Sequence, residues 1–345
     1  MSAGIAARVA RWQASHGRNH LPWQNTREPY RVWLSEIMLQ QTQVATVLEY
    51  YARFLERFAG VRQLAAAPLD EVLALWSGLG YYSRARNLHR CAQIVVQRHS
   101  GEFPRTVAEL AALPGIGRST AGAIAAFCFG ARAVVLDANV RRVLTRVLGF
   151  SQDLAQASNE RTLWALAEDL LPRADLQNAM PRYTQGLMDL GAGICLPRNP
   201  ACPQCPLQSA CAARRQGNPQ DYPVRTRKLK RSAEIWWLWL RQDGQGRLWL
   251  ERRPTTGIWA GLYCPPIFTA RETLQTALGP DALRARELPA FTHALTHRDL
   301  HLHPVLLRSA AGAAQSGGDW YAPEQWHTLG LPAPVRKLLD GLVQK

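Results

Sequence analysis

Glu36 lies in an apolar stretch of the chain that also contains three glutamines. The segment SEIMLQQTQV (residues 35–44) has the spacing of a helix that buries most of its circumference. At about 100° per residue, Glu36, Gln40 and Gln43 fall on one stripe, with Gln41 beside it. Such a stripe is either a solvated edge or the polar floor of a cleft, where an acid could exchange protons with a substrate. The spacing alone leaves both interpretations open.

A second group of reactive side chains is a cluster of cysteines spaced C-x6-C-x2-C-x5-C. Its members lie within 17 residues: Cys195, Cys202, Cys205 and Cys211. Without an export signal the chain is expected in a reducing compartment, so a metal site is favoured over two disulfides. Zinc and a 4Fe-4S cluster both accept four thiolates, but a single CxxC flanked by longer loops favours 4Fe-4S. The remaining cysteines lie in apolar sequence and are interpreted as core residues: Cys91, Cys128 and Cys264.

A possible phosphate site lies in the segment LPGIGRST (residues 113–120), between two helical patterns. A tight turn at Gly115 and Gly117 would leave backbone N–H groups free at the start of the second helix. An ordinary connection between helices is the alternative for any single PGxG. Small residues would let the second helix pack closely: Gly122, Ala123, Ala125 and Ala126.

The charge of the chain supports the phosphate interpretation. Lys plus Arg number 41 against 26 Asp plus Glu, a formal charge of +15, which suits a polyanionic partner. The longest apolar run, IWWLWL (235–240), is too short for a membrane span, and the first residues do not resemble a signal peptide. We therefore expect a cytoplasmic protein with no membrane association.

The elements that must position these residues divide the chain into two domains. Residues 1–213 have helical periodicity broken by Gly/Pro turns, which predicts an all-α domain, and residues 234–345 have mainly strand periodicity, which predicts an α+β domain. Helical patterns occupy residues 69–80, 106–113, 119–130, 161–171 and 271–278, and strand patterns occupy 234–242, 246–253 and 299–307. Between the domains, residues 214–233 are interpreted as a linker that could also contact phosphates. Its basic residues are Arg225, Arg227, Lys228, Lys230 and Arg231.

Several of these motifs together resemble a known superfamily. The order LPGIGRST, then VLDANVRRVL (135–144), then the four-cysteine cluster is similar to helix-hairpin-helix DNA glycosylases. Within that superfamily, four segments resemble the adenine DNA glycosylase (MutY) family: LPWQ (21–24), PYRVWLSEIMLQQTQVATV (29–47), WSGLGYYSRARNLH (76–89) and QGLMDLGAGIC (185–195). The resemblance implies a glycosylase domain with a 4Fe-4S loop at 195–211 and a C-terminal Nudix-like domain.

The resemblance also implies an activity, the hydrolytic removal of adenine mispaired with 8-oxoguanine or guanine in duplex DNA during base excision repair. Glu36 matches the general acid/base of the family, which protonates adenine at N7. Asp137 would stabilise the sugar cation, either as an ion or through a transient covalent adduct, and Asn139 would help to hold it. Asp137 precedes ANVRRVL, so it is also a suitable helix N-cap, and both roles are compatible.

Ser119 bears on the reaction type. Related glycosylases that also cut the DNA backbone carry a lysine at this position, whose amine forms a Schiff base. Serine therefore predicts a monofunctional glycosylase that leaves an abasic site, and a bifunctional glycosylase-lyase is the alternative. By the same resemblance, Gln40 lines the adenine groove, Trp23 and Gln185 hold the extruded adenine, and Tyr81 and Gln41 wedge the duplex. Each of these also has a plain structural interpretation, as a core or surface residue.

The C-terminal segment GIWAGLYCPP (257–266) resembles the Nudix-like domain that reads 8-oxoguanine in this family. A working Nudix hydrolase needs clustered carboxylates for magnesium, and the acids here are scattered: Glu272, Asp281 and Glu287. Recognition without hydrolysis is expected. The family's Phe-Ser-His recognition loop matches Leu295-Thr296-His297, where Thr296 keeps a hydroxyl but the aromatic is lost.

The expected partner is therefore double-stranded DNA with an A:8-oxoguanine or A:G mispair. The protein is expected to act as a monomer associated with the nucleoid. Two other classes are disfavoured. A non-catalytic damage-binding protein would lack Glu36 or Asp137, and a nucleotide-pool Nudix hydrolase would need the acidic cluster that is absent.

Overall fold

The computed structural model of the chain describes residues 2–226, 231–308 and 317–343. By its internal contacts the chain divides into two compact units. The first comprises Met1–Ala65 and Arg90–Lys228, and the second comprises Ala66–His89 and Leu229–Lys345. Residues 66–89 are thus grouped with the C-terminal part of the chain. The linker residues Arg227, Lys228 and Lys230 lie outside the described residues.

The N-terminal two thirds of the chain are helical. The helices are α1 (Ser2–His16), α2 (Pro29–Met38), α3 (Val44–Arg57), α4 (Val61–Ala66), α5 (Leu69–Trp76), α6 (Ser83–His99), α7 (Val107–Ala111), α8 (Arg118–Phe129), α9 (Ala138–Leu148), α10 (Ala157–Asp169), α11 (Leu176–Asp189) and α12 (Ala212–Arg215). A π-helical turn, Leu190–Ile194, continues α11. None of the helices in the described ranges combines the length and the apolar character needed to cross a lipid bilayer.

One hydrophobic core of the first unit forms where α1, α9 and α11 pack together. Buried aliphatic side chains from each of these helices meet there, among them Val9, Val143 and Leu187. The hairpin of α7 and α8 packs through α8 on α2. The prediction of close packing by small residues in α8 is confirmed at Gly122, where an added Cβ would lie 2.3 Å from the carbonyl oxygen of Val134.

The second unit contains an eight-stranded mixed sheet. Its strands are β1 (Ser232–Gln242), β2 (Leu248–Arg252), β3 (Tyr263–Cys264), β4 (Ile267–Phe268), β5 (Arg286–Glu287), β6 (Phe291–Ala294), β7 (Arg298–Arg308) and β8 (Gly318–Tyr321). The central strands β1 and β7 are parallel, with Ser232 opposite Arg298 and Gln242 opposite Arg308. Helix α13 (Arg271–Leu278) covers part of one face, and α14 (Ala333–Val343) follows the last strand. The predicted fold class, a helical domain followed by an α+β domain, is confirmed.

The stripe predicted for residues 35–44 is only partly correct. Helix α2 ends at Met38, and Gln41 has a φ of 58°, in the left-handed region. A residue in that conformation cannot continue a right-handed helix. Gln43 is therefore the N-cap of the next helix, α3, and does not share a helical stripe with Glu36. Gln40 and Glu36 nevertheless line the same cavity.

Candidate active site

A cavity of about 350 Å³ in the first unit brings together most of the predicted catalytic and base-binding residues. The predicted site residues on its wall are Trp23, Glu36, Gln40, Ser119, Asp137, Asn139 and Gln185. They come from the turn after α1, from α2 and the turn that follows it, from the start of α8, from the start of α9 and from α11. A second cavity of about 230 Å³ shares Trp23, Glu36 and Gln185 with the first. Glu36 thus lies on the wall of two cavities, and its interpretation as part of a polar cleft is favoured over a solvated edge.

Glu36 lies among apolar side chains of α2, including the fully buried Trp33 and Leu34. Within the described part of the chain, no hydrogen-bond donor reaches its carboxyl group. Burial without compensating donors disfavours the charged form, and the negative charge of Asp137 acts in the same direction. Together these effects raise the pKa of Glu36 to about 8. The protonated form of this carboxyl group is therefore favoured near neutral pH.

Asp137 is the N-cap of α9. Its Oδ1 accepts a hydrogen bond of 2.6 Å from the backbone N–H of Val140, so the predicted capping role is confirmed. Burial raises the pKa of Asp137, whereas the N–H groups of Val140 and Asn139 and the charges of Arg142 and Arg141 lower it. This carboxylate has the donors and cations that Glu36 lacks, so the two acids have different environments.

Asn139 is held by the side chain of Arg142, whose Nη2 donates to its Oδ1 at 2.9 Å. Asn139 lowers the pKa of Asp137 through its backbone N–H and not through its side chain. Ser119 contributes to the same region because its Oγ accepts the backbone N–H of Leu136, at 3.1 Å, just before Asp137. The start of α8 is thereby fastened to the segment that carries Asp137.

Gln185 and Trp23 are both buried, at 8% and 7% exposure. The Nε2 of Gln185 donates to Asp189 at 2.8 Å, and the ring of Trp23 meets Tyr51 edge to face at 5.3 Å. Gln40 donates to Thr120 Oγ1 at 3.4 Å. Gln41 is exposed in the turn after α2 and does not line either cavity.

The hairpin between α7 and α8 contains the predicted tight turn. Gly115 has a φ of 78°, which favours glycine, and Leu113 and Ile116 bury their side chains to anchor the turn. Gly117 is the N-cap of α8, and a Cβ there would meet nothing within 4 Å. In the described residues no acceptor pairs with the N–H groups of residues 118–120, which therefore remain available to a ligand.

The four clustered cysteines line one apolar cavity: Cys195, Cys202, Cys205 and Cys211. All four are free thiols. Arg146, which is 1% exposed, anchors this loop because its guanidinium donates to Cys195 Sγ at 3.3 Å and to the carbonyl oxygen of Leu196 at 2.7 Å. Among the described residues, no three His, Cys, Asp or Glu side chains converge as they would around a metal ion.

In the second unit, a cavity of about 800 Å³ is lined by Tyr81, Thr296 and His297. The hydroxyl groups of Tyr81 and Thr296 are hydrogen bonded at 2.6 Å, and Tyr81 has a φ of 46°. Thr296 and His297 lie in the tight turn between β6 and β7 and are exposed. Trp259, which belongs to the GIWAGLYCPP segment but was not predicted as a site residue, lines the same cavity with a left-handed φ of 56°.

Sequence interpretation also missed Arg18 and Asp189 in the first unit. Arg18 lines the cavity that contains Glu36 and Asp137, and its Nε donates to the buried Asp189 at 2.7 Å. The two residues are 171 positions apart, so no local pattern connects them. The one available signal was an acid, Asp189, inside the otherwise apolar QGLMDLGAG segment.

Two family models match the chain. Residues 34–169 match the HhH-GPD superfamily of base excision DNA repair proteins, and residues 236–341 match the NUDIX domain. The chain is 37% identical over 341 residues to the adenine DNA glycosylase of Buchnera aphidicola subsp. Baizongia pistaciae, covering 96% of this chain and 94% of that protein. It is 32% identical over 390 residues to the human adenine DNA glycosylase, covering 93% of this chain and 71% of that protein.

Solved structures show the same helical fold. A thermostable thymine-DNA glycosylase is similar with a TM-score of 0.53 and 29% identity, covering 61% of this chain and 95% of that chain. Endonuclease III in a non-covalent DNA complex is similar with a TM-score of 0.51 and 25% identity, covering 61% of this chain and 94% of that chain.

Proposed function

The chain belongs to the adenine DNA glycosylase family, and from that premise we propose that it excises adenine paired with 8-oxoguanine or guanine in genomic DNA, leaving an abasic site. The observation that carries the proposal is the pair of carboxyl groups, Glu36 and Asp137, on one cavity with different environments. Cleavage of an N-glycosidic bond needs a proton for the departing base and a negative charge for the sugar cation, and these two groups can supply them. The enzyme would act as a monomer in the cytoplasm, on DNA of the nucleoid.

In this proposal Glu36 gives its proton to the extruded adenine, at N7 by family resemblance. Asp137 then stabilises the oxocarbenium-like sugar, and Glu36, now ionised, activates the water that completes hydrolysis. Extruding the base costs a few kcal/mol of stacking and pairing, which contacts with Trp23 and Gln185 would offset. Tyr81 and Gln41 are proposed to wedge the duplex.

The distribution of lysines supports a monofunctional reaction. The four lysines of the chain are Lys228, Lys230, Lys337 and Lys345, so residues 1–227 contain none. A Schiff base with the abasic sugar requires an amine that can deprotonate, and arginine cannot replace it. The hydroxyl of Ser119, at the position of the lyase lysine, instead accepts a backbone N–H. The bifunctional alternative is therefore disfavoured.

A single-turnover assay on duplex DNA with one A:8-oxoguanine pair tests the proposal. We expect strand breaks only after alkali, because the enzyme leaves an intact backbone at the abasic site. Breaks without alkali, with borohydride trapping of a covalent complex, would establish the lyase alternative. No adenine release would refute the activity itself.

The hairpin and the net charge support binding of the DNA backbone. Gly115 and Gly117 would allow a phosphate to approach the free N–H groups at the start of α8. A contact of this kind does not read sequence, which suits an enzyme that must find a mispair anywhere in the genome.

The spacing and the surroundings of the four thiols support the proposal of a 4Fe-4S cluster. They face one apolar cavity, they form no disulfide, and the guanidinium of Arg146 would favour the negative charge of a thiolate-bound cluster. We propose that Cys195, Cys202, Cys205 and Cys211 hold the cluster, which would cross-link the loop between residues 195 and 211.

Replacing one proposed ligand should remove the iron. For Cys202→Ser we expect loss of most of the iron per chain and of the visible absorption band. Cys128→Ser is the matched control, because Cys128 is also partly exposed but lies outside this cavity. Iron content equal to that of the unmodified protein in the Cys202 variant would contradict the assignment.

The second unit is proposed to read 8-oxoguanine opposite the adenine. Acids that a magnesium-dependent Nudix hydrolase would cluster are dispersed here: Asp281 pairs with Arg284 at 3.3 Å and Glu287 with Arg271 at 2.5 Å, both at the surface. The exposed hydroxyl of Thr296, on the wall of the large cavity, is the group proposed to bond the oxidised base, beside His297.

Removing that hydroxyl should reduce the preference for 8-oxoguanine. For Thr296→Val we expect the ratio of single-turnover rates on A:8-oxoguanine and A:G duplexes to fall about tenfold, the typical effect of one lost hydrogen bond. Thr292→Val is the control, because the hydroxyl of Thr292 bonds His301 at 3.0 Å on the neighbouring strand and does not line the cavity. An equal fall for both variants would count against recognition by Thr296.

A further inference from the structure

Asp189 is a buried carboxylate that joins two residues on the wall of the active-site cavity. It is 3% exposed and lies at the end of α11. Its Oδ2 accepts the backbone N–H of Arg18 at 3.0 Å, and its Oδ1 accepts Arg18 Nε at 2.7 Å and Gln185 Nε2 at 2.8 Å. Arg18 and Gln185 line the cavity that contains Glu36 and Asp137, whereas Asp189 does not.

The contact with Asp189 fixes which end of the Gln185 carboxamide faces the cavity. An ionised carboxylate only accepts hydrogen bonds, so it can pair with the amide nitrogen and not with the amide oxygen. The nitrogen of Gln185 is thereby turned toward Asp189. No donor in the described part of the chain reaches the carbonyl oxygen, Oε1. The free end of the carboxamide is therefore a hydrogen-bond acceptor.

An acceptor at this position has a consequence for the choice of base. The edge of adenine that carries N7 presents N7 as an acceptor and the 6-amino group as a donor, whereas guanine presents two acceptors, N7 and O6. A protonated Glu36 can donate to N7 of either base. Only a base with a 6-amino group can also donate to Oε1 of Gln185, and a 6-oxo base would place two acceptors against each other.

We propose that Asp189 is a positioning residue that sets the specificity for adenine by holding the Gln185 carboxamide with its carbonyl oxygen toward the base. The inference rests on the proposed excision of adenine. Asp189 itself does not touch the substrate, and it acts through Gln185 and through the Arg18 backbone and side chain that it binds.

Three single variants and one double variant test this role in single-turnover assays on duplexes with adenine or hypoxanthine opposite 8-oxoguanine. Hypoxanthine replaces the 6-amino group by a 6-oxo group. In Asp189→Asn the new amide can also donate to Gln185, which permits the flipped carboxamide, and we expect the adenine-to-hypoxanthine rate ratio to fall about tenfold or more. In Asp189→Glu the carboxylate still only accepts, so the ratio should stay near that of the unmodified enzyme even if both rates fall.

Gln185→Met keeps the pairing of Asp189 with Arg18 and should lower the ratio as Asp189→Asn does. Adding Asp189→Asn to Gln185→Met should then change the ratio no further. Equal losses on both bases in Asp189→Asn would indicate a merely structural role and would overturn the proposal. An unchanged ratio in Gln185→Met would also overturn it, whether or not the Asp189 variants fold.

Adenine release by the unmodified enzyme distinguishes a failure of this inference from a failure of the proposed function. If it fails to release adenine, the function is refuted and the inference with it. If it releases adenine but the ratio is unaffected in the variants, only the role of Asp189 is refuted.

Discussion

Glu36→Gln is expected to abolish adenine release while binding of the mispaired duplex persists. Glutamine keeps the size of the side chain but has no acidic proton to donate to the leaving base. General acid catalysis contributes about 10²–10⁴-fold to such reactions, and Glu36 is proposed to act twice, so we expect a loss at the upper end of that range. Single-turnover excision assays and a DNA-binding titration measure the two properties separately. Near-normal turnover by this variant would refute the assignment.

The pH dependence of the unmodified enzyme follows from the same carboxyl group. Because the pKa of Glu36 is raised to about 8, the group is protonated below that pH and loses its proton above it. The single-turnover rate should therefore fall as pH rises through about 8, by about tenfold per pH unit once the group is ionised. A rate that stays constant up to pH 9.5 would exclude Glu36 as the acid.

The contribution of Glu36 to the stability of the folded protein should also decrease as pH rises. A carboxyl group with a pKa above its unfolded value binds protons more tightly in the folded state, so its contribution to stability decreases as pH rises between about 4.5 and about 8. Glu36→Gln removes this dependence. The Tm of the variant, relative to that of the unmodified protein, should therefore rise over this interval.

Asp137→Asn is expected to lower the rate of adenine release by about 10²–10³-fold, the usual effect of removing one electrostatic contact to a charged transition state. Asparagine is as good an N-cap as aspartate, so its side-chain oxygen can still accept the N–H of Val140. Folding should therefore be preserved while the negative charge facing the sugar is lost. The assay is again single-turnover excision, with Tm as the measure of folding.

Asp137→Ala separates capping from catalysis. It removes both the charge and the cap, so we expect the same loss of rate together with a loss of stability of about 1 kcal/mol. If Asp137→Asn excised adenine at the normal rate, and only the alanine variant were slow, Asp137 would be a structural cap and the proposed mechanism would fail.

The residues that act through local geometry were predictable from the sequence. Asp137 was identified as an N-cap because aspartate before a helical pattern satisfies free N–H groups. The turn of the hairpin was identified because glycine at position 115 allows a positive φ. The end of α2 was not predictable in this way, because Gln41 adopts its left-handed φ without being glycine or asparagine.

Interactions between distant parts of the chain were beyond the reach of sequence patterns. Asp189 pairs with Arg18, near the N-terminus, because α11 packs beside α1. The grouping of residues 66–89 with the C-terminal part likewise depends on contacts such as Ser77 Oγ and Tyr82 Oη donating to the carbonyl oxygen of Leu331, each at 2.9 Å. Periodicity describes which side of a helix is apolar, but not which element will cover it.

The buried guanidinium of Arg146 orders the backbone of the cysteine loop. Its bonds to Cys195 and to the carbonyl oxygens of Leu196 and Pro197 shape the loop with groups of the polypeptide alone. These bonds offset part of the entropy lost when the loop becomes ordered. We therefore expect the helices around this loop to stay folded when the proposed cluster is lost.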